Sequence, residues 1–162
     1  MTTRLAILCP GQGAQHAGMF DLARTDKQTA TMLDAWHLDA RLGTPLQHVL
    51  DHPTLLFSNA MAQPLVVAAT LAAWVAIRDL LPKPALVAGY SVGEVAAYAV
   101  AESISCEDAI RLAAVRAELT SACLCATRAC VSSSWHRLLS RRKVALVTGV
   151  STSNGVAITL RR

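Results

Sequence analysis

The hexapeptide Gly89-Tyr90-Ser91-Val92-Gly93-Glu94 constrains this chain more than any other stretch. The apolar run Ala85-Leu86-Val87-Ala88 leads into it, and the alanine-rich residues 95–101 lead out. Strand, G-x-S-x-G and helix in that order make a nucleophile elbow. The two glycines permit a turn too tight for a Cβ, so Ser91 is held at the tip of a strained corner. Its hydroxyl then projects outward. The helix N-terminus behind it offers unpaired N–H groups and a positive dipole to a developing oxyanion. A plain serine in a glycine-rich turn is the competing reading, and the flanking strand and helix pattern argues against it.

A length of 162 residues suits one domain with one real core. Apolar residues make up 53% and charged residues 16%, which places the chain among soluble globular proteins. Aromatics are only 4%. Alanine supplies much of the apolar count, which favours close helix packing over a bulky sandwich core. The formal charge of +4 is unevenly spread: all 11 acidic residues precede position 120, whereas 7 of the 15 Lys and Arg follow it. Basicity therefore belongs to the tail, and the body carries no footprint for nucleic acid.

The five cysteines, Cys9, Cys106, Cys123, Cys125 and Cys130, are odd in number and lack a regular frame. Reduced thiols in a cytoplasmic protein are the expectation. The apolar run at residues 5–9 is too short for a signal peptide and ends in Pro10-Gly11. The charge-free apolar residues 65–77 fall short of the ~20 that a membrane span needs and read as a buried helix. No membrane partner is expected.

Residues 5–9 read as a buried strand opening into the loop Pro10-Gly11-Gln12-Gly13. This loop is no dinucleotide fingerprint, because His16 holds the place of the third glycine, and no Gly-Lys-Ser/Thr makes it a Walker loop. Residues 17–41 read as helical in pieces, with Gly43-Thr44-Pro45 as a break. Pro64 suits the first turn of a helix running to about Leu81. Pro82 and Pro84 end that helix. Ser105-Cys106-Glu107-Asp108 is a capping-box-like start for a helix reaching about Ala122. Strand, helix, strand, helix order predicts an α/β fold with a parallel sheet flanked by helices. Residues 143–148 and 156–160 read as further strands.

A serine nucleophile needs a base, a group that orients the base, and oxyanion donors. Of the five histidines only His136 follows Ser91, and it lies in the atypical tail. The general base is unknown. His48 and His52 could share a helix face, but Val49 stands where a zincin has Glu and Pro53 ends the helix. Cys123, Cys125, Cys130 and His136 do not have zinc-site spacing. No metal is expected. Arg111, with Glu107 and Asp108 one turn back, reads as a surface pair. Arg116 has only Leu112, Ala113, Leu119 and Thr120 at its neighbouring helix positions. The pattern leaves open whether its guanidinium snorkels to water or receives an anion such as a substrate carboxylate.

Two blocks in order, Cys9-Pro10-Gly11-Gln12-Gly13-Ala14-Gln15 and Gly89–Glu94, resemble the malonyl-CoA:acyl-carrier-protein transacylase family and the related acyltransferase domains of polyketide and fatty-acid synthases. Gln63-Pro64 and Val115-Arg116-Ala117-Glu118-Leu119 also sit where that family has similar residues. The resemblance covers about residues 4–119. It implies that Ser91 is the acyl-accepting serine and that the backbone N–H groups of Gln12 and Val92 form the oxyanion hole. It also implies that Arg116 clamps the malonyl carboxylate. The implied reaction is ping-pong: malonyl passes from malonyl-CoA to Ser91, then to the phosphopantetheine thiol of an acyl carrier protein, with no cofactor.

The departures are informative too. Cys9 stands where the family usually has Phe, and Tyr90 where it usually has His. The family's catalytic histidine, a later polar ligand and its final strands lie beyond residue 162. The expected organisation is therefore residues 1–119 as the N-terminal part of a hydrolase-like large subdomain, followed by a divergent basic Ser/Cys/Arg-rich tail at 120–162. The small ferredoxin-like subdomain is incomplete or disrupted on this reading. Residues 120–150 do not resemble the family, whereas 154–160 return to something like it, as a frame-shifted stretch followed by early termination would. The expectation is a truncated, impaired acyltransferase. The alternatives are a non-catalytic half-domain that binds acyl-CoA or a partner, and a generic serine hydrolase, against which Arg116 and the Pro-Gly-Gln-Gly loop speak. A dehydrogenase-like opening at 143–149 fails because Ser153 replaces the middle glycine. An RNA-binding tail lacks interleaved aromatics.

Overall fold

The computed structural model describes residues 4–126, 150–152 and 155–157. Strand β1 (Ala6–Cys9) opens the chain, and five short helices follow: α1 (Asp21–Arg24), α2 (Lys27–Ala35), α3 (Leu38–Leu42), α4 (Leu46–Asp51) and α5 (Pro53–Leu56). Each break has a local cause. The Asp26 side chain caps α2 by accepting from Thr29 N at 2.8 Å. Gly43, at φ +69°, closes α3 in the left-handed conformation that a glycine adopts freely.

Helix α6 (Asn59–Ile77), extended by a 3₁₀ turn at Arg78–Leu80, crosses the centre of the molecule. It starts five residues before the proline expected to open it. Pro64 sits inside the helix, where it removes one backbone donor, and the dense apolar packing around it sustains the helix. With its extension the helix has 22 residues, including an 18-residue window of mean hydropathy 1.8, enough by length and composition to cross a bilayer, contrary to the count made from residues 65–77. Here protein covers it: Leu65, Val67, Ala68, Leu71 and Ala72 are fully buried. Burying each leucine contributes about 1.5–3 kcal/mol.

Strand β2 (Leu86–Gly89) pairs in parallel with β1, Ala6 opposite Leu86 and Cys9 opposite Gly89. Helix α7 (Gly93–Val100) follows the elbow, and α8 (Cys106–Ala126) packs along α6. Ala109, Ile110, Ala113 and Ala117 of α8 are buried at three- and four-residue steps, and the small size of the three alanines favours close packing of the two helices. Ser105 Oγ accepts from Asp108 N at 3.0 Å, as the capping pattern anticipates, and the helix runs to Ala126 rather than Ala122. Arg111 and Asp108 form an exposed ion pair at 2.6 Å. The α/β architecture, with a parallel strand pair flanked by helices, agrees with expectation.

Strands β3 (Val150–Thr152) and β4 (Gly155–Ala157) form an antiparallel pair. The strand expected at 156–160 thus coincides with β4 only in part. The strand expected at 143–148, His136, and the side chains of Cys123, Cys125 and Cys130 lie outside the described residues.

Candidate active site

The end of β1 and the end of β2 bring the two motifs of the sequence side by side. Tyr90 N donates to Cys9 O at 3.1 Å. A Cβ on Gly11 would come within 2.8 Å of the Tyr90 ring, and one on Gly93 would collide with the carbonyl oxygens of Cys9 and Pro10. A Cβ on Gly89 would collide with the backbone of Gly93. Glycine is therefore required at both flanks of the serine by close backbone approach, not by φ. The strain falls on Ser91 itself, whose φ is +55°. Gly93 N to Tyr90 O at 2.9 Å and Glu94 N to Ser91 O at 3.1 Å close the corner.

Ser91 is exposed at that corner, and the Val92 side chain beneath it is fully buried. Val92 is the N-cap of α7, a position whose N–H has no partner within the helix. Gln12, also exposed, is carried by the loop that Gly11 seats against Tyr90.

Arg116 reaches the elbow from α8. Its Nη2 donates to Ser91 Oγ at 3.3 Å and its Nη1 to Gln63 Oε1 at 2.5 Å. Burial lowers the pKa of its guanidinium, and the charge of Glu94 opposes that shift. Of the two outcomes left open for Arg116, the structure has it turned inward, half-buried, rather than snorkelled.

Sequence reasoning noted Gln63 but gave it no role, and it passed over Asn59. Gln63, only 2% exposed, donates from Nε2 to Asn59 Oδ1 at 2.7 Å and Thr120 Oγ1 at 3.2 Å. The available signal was a pair of polar residues four apart on each of two apolar helices, Asn59 with Gln63 and Arg116 with Thr120.

The remaining candidates do not join the site. Ser91 Oγ has Arg116 as its hydrogen-bond partner among the described residues, and none of His16, His37, His48 and His52 bonds to it. The His48 and His52 rings lie 4.2 Å apart, with His52 Nδ1 bonded to His48 O. No group of three or more metal-ligating side chains occurs among the described residues. Burial raises the Cys9 thiol to a pKa of about 11, so it stays protonated and inert beside the elbow. An apolar cleft of about 450 Å³, lined by Ile7, Leu8, Met19, Val66 and Trp74 among others, lies along β1 and includes neither Ser91 nor Arg116.

Comparison with known proteins gives the family. The acyl transferase domain model matches residues 7–158. The malonyl CoA-acyl carrier protein transacylase of Mycobacterium tuberculosis is 45% identical over 130 residues, which cover 74% of this chain and 41% of that protein. The crystal structure of the malonyl transacylase from M. tuberculosis superposes with a TM-score of 0.61 at 41% identity, covering 76% of this chain and 42% of the other. A malonyl-transacylase solved in complex with its type II polyketide synthase acyl-carrier protein gives a TM-score of 0.65 at 29% identity, with 74% and 40% covered. The chain thus spans about two fifths of the length of these relatives. With elbow, loop and arginine in one arrangement and the family model matched over most of its length, the chain belongs to the acyl transferase domain family.

Proposed function

We propose that Ser91 accepts a malonyl group from malonyl-CoA and delivers it to the phosphopantetheine thiol of an acyl carrier protein. The observation that carries this reading is the Arg116 guanidinium 3.3 Å from Ser91 Oγ. A serine that only hydrolyses esters has no need of an inward-turned cation. An acyl group ending in a carboxylate does, and the guanidinium fork matches it bidentately.

In the first half-reaction Ser91 Oγ attacks the thioester carbonyl, the carbon–sulfur bond breaks, and coenzyme A leaves as the thiol with the serine proton. In the second the carrier thiol attacks the seryl ester, and Ser91 recovers its proton. The Val92 and Gln12 N–H groups would receive the oxyanion of each tetrahedral intermediate, at the positive end of α7. Two of the three comparisons named above carry acyl carrier protein in their name or title, which supports that partner and, with it, a cytoplasmic setting.

The chain would act as an impaired copy of the family enzyme, since no histidine among the described residues bonds to Ser91. General-base assistance contributes typically 10²–10⁴-fold, so acylation would be slow and transfer to the carrier slower. The same observation favours a second reading, a half-domain that binds acyl-CoA without turnover. Incubation with malonyl-CoA followed by mass spectrometry of the Ser91 peptide separates them. A malonyl adduct lost in Ser91→Ala supports acyl transfer; binding without any adduct supports the second reading.

A further inference from the structure

We infer that Asn59 and Thr120 are positioning residues that set acyl selectivity through Gln63 and Arg116, without themselves touching the acyl group. The inference rests on the acyl-transfer reading of Ser91 and follows from the polarity of one hydrogen-bond chain. An arginine can only donate and a backbone carbonyl can only accept. Between these two fixed ends stand two carboxamides, either of which could be turned over.

At the fixed acceptor end, Asn59 Nδ2 donates to Ala117 O at 3.1 Å, and its other neighbours are Thr120 Oγ1 at 2.8 Å and Ser121 Oγ at 3.0 Å. The Ala117 carbonyl settles which way the Asn59 amide faces, so Oδ1 must point at Gln63. Thr120 returns its own proton to the helix, to Arg116 O at 2.8 Å or Ala117 O at 3.1 Å. Its lone pairs therefore face Gln63 and Asn59. Together Asn59 Oδ1 and Thr120 Oγ1 draw the Nε2 end of Gln63 toward themselves and leave Oε1 for Arg116.

Gln63 is 2% exposed, so water is a poor substitute for these partners. Turned over, it would aim N–H groups at a guanidinium that offers only N–H groups in return. The relay thereby holds Nη1 on Gln63 and leaves Nη2 facing Ser91, where an acyl carboxylate would be recognised. Loss of the relay frees Arg116 to swing, which weakens malonyl more than an acyl group without a carboxylate.

The test compares Ser91 labelling by malonyl-CoA and by acetyl-CoA in wild type, Asn59→Leu, Thr120→Val and Thr120→Ser. The expected result is a tenfold or greater fall in the malonyl-to-acetyl ratio for Asn59→Leu and Thr120→Val, with acetyl labelling within twofold of wild type. Thr120→Ser, which keeps the hydroxyl, should restore the ratio. Equal loss of both labels, or an unchanged ratio in Asn59→Leu, overturns the inference. A second readout is independent of acylation: the rate of rotation about the Arg116 Nε–Cζ bond, from guanidinium NMR signals. Slow rotation in wild type and Thr120→Ser and fast rotation in Thr120→Val supports the relay; equal rates overturn it. Absence of any adduct on wild-type Ser91 would instead remove the acyl-transfer reading, with the rotation rates still deciding the relay.

Discussion

Ser91 Oγ and Arg116 Nη2, 25 residues apart in sequence, stand 3.3 Å apart in space. An exposed hydroxyl at the tip of a strained turn thus meets a half-buried cation that is already anchored at its other nitrogen by Gln63. The pair joins two elements, the β2–α7 corner and the third turn of α8, and only their packing sets its distance.

Arg116→Ala should lower malonyl labelling of Ser91 by about 10- to 100-fold, the worth of hydrogen bonds to a charged group. Acetyl labelling should change far less. Equal labelling of wild type and variant by malonyl-CoA would remove the clamp assignment. Arg116→Lys should recover part of the loss, because a point charge replaces the fork.

Gly93→Ala should destabilise by about 3 kcal/mol or more, since its Cβ would meet two backbone carbonyl oxygens that no rotamer change can move. Gly43→Ala meets open space and bears only the strain of φ +69°, about 1 kcal/mol. Urea midpoints of the two variants should differ in that order. A Gly93 variant as stable as the Gly43 variant would contradict the packing of the elbow.

Removal of the α8 cap is a milder lesion. Ser105→Ala should cost about 1 kcal/mol and Ser105→Asp close to nothing, because only the first loses the acceptor of the Asp108 N–H. Thermal denaturation of both variants checks the difference.

Cys9 gives stability a pH dependence on the alkaline side. Its folded pKa of about 11 exceeds the ordinary 9.0, so the unfolded chain loses the thiol proton first. Protons bound by the native state then exceed those bound by the unfolded state, and stability falls as pH rises from about 9 toward 11. A Cys9→Ala variant should lack this component of the slope in urea midpoints measured across that range. In the native protein Cys9 should also react with a thiol reagent at pH 8 only after unfolding.

The composition break at residue 120 has a simple check in the gene. Read in all three frames, the coding DNA across residues 120–150 should yield family-like sequence in one of the other two. If neither does, the frame-shift explanation of the tail fails.

The elbow was legible because its causes are local. Two glycines around Ser91, an apolar run before and alanines after mark the turn within one window of sequence, although the carbonyls of Cys9 and Pro10 that require Gly93 come from β1 and its loop. The helix start at Ser105 was legible for the same reason. The start of α6 was misjudged because proline preference is local while the packing that tolerates Pro64 mid-helix is not. Arg116 was ambiguous from sequence because its partners lie on other elements, Gln63 on α6 and Ser91 on the β2–α7 corner.

By itself, then, the sequence determined the turn that carries Ser91, the glycine loop and the alternation of strands and helices. These depend on backbone sterics and on periodicity within a few residues. Tertiary structure alone decided that Arg116 turns inward and that Gln63 anchors it. It also decided that Asn59 and Thr120 face Gln63 across the α6–α8 contact. The polarity of a buried amide follows from donors and acceptors brought to it from distant parts of the chain, and no window of sequence contains them.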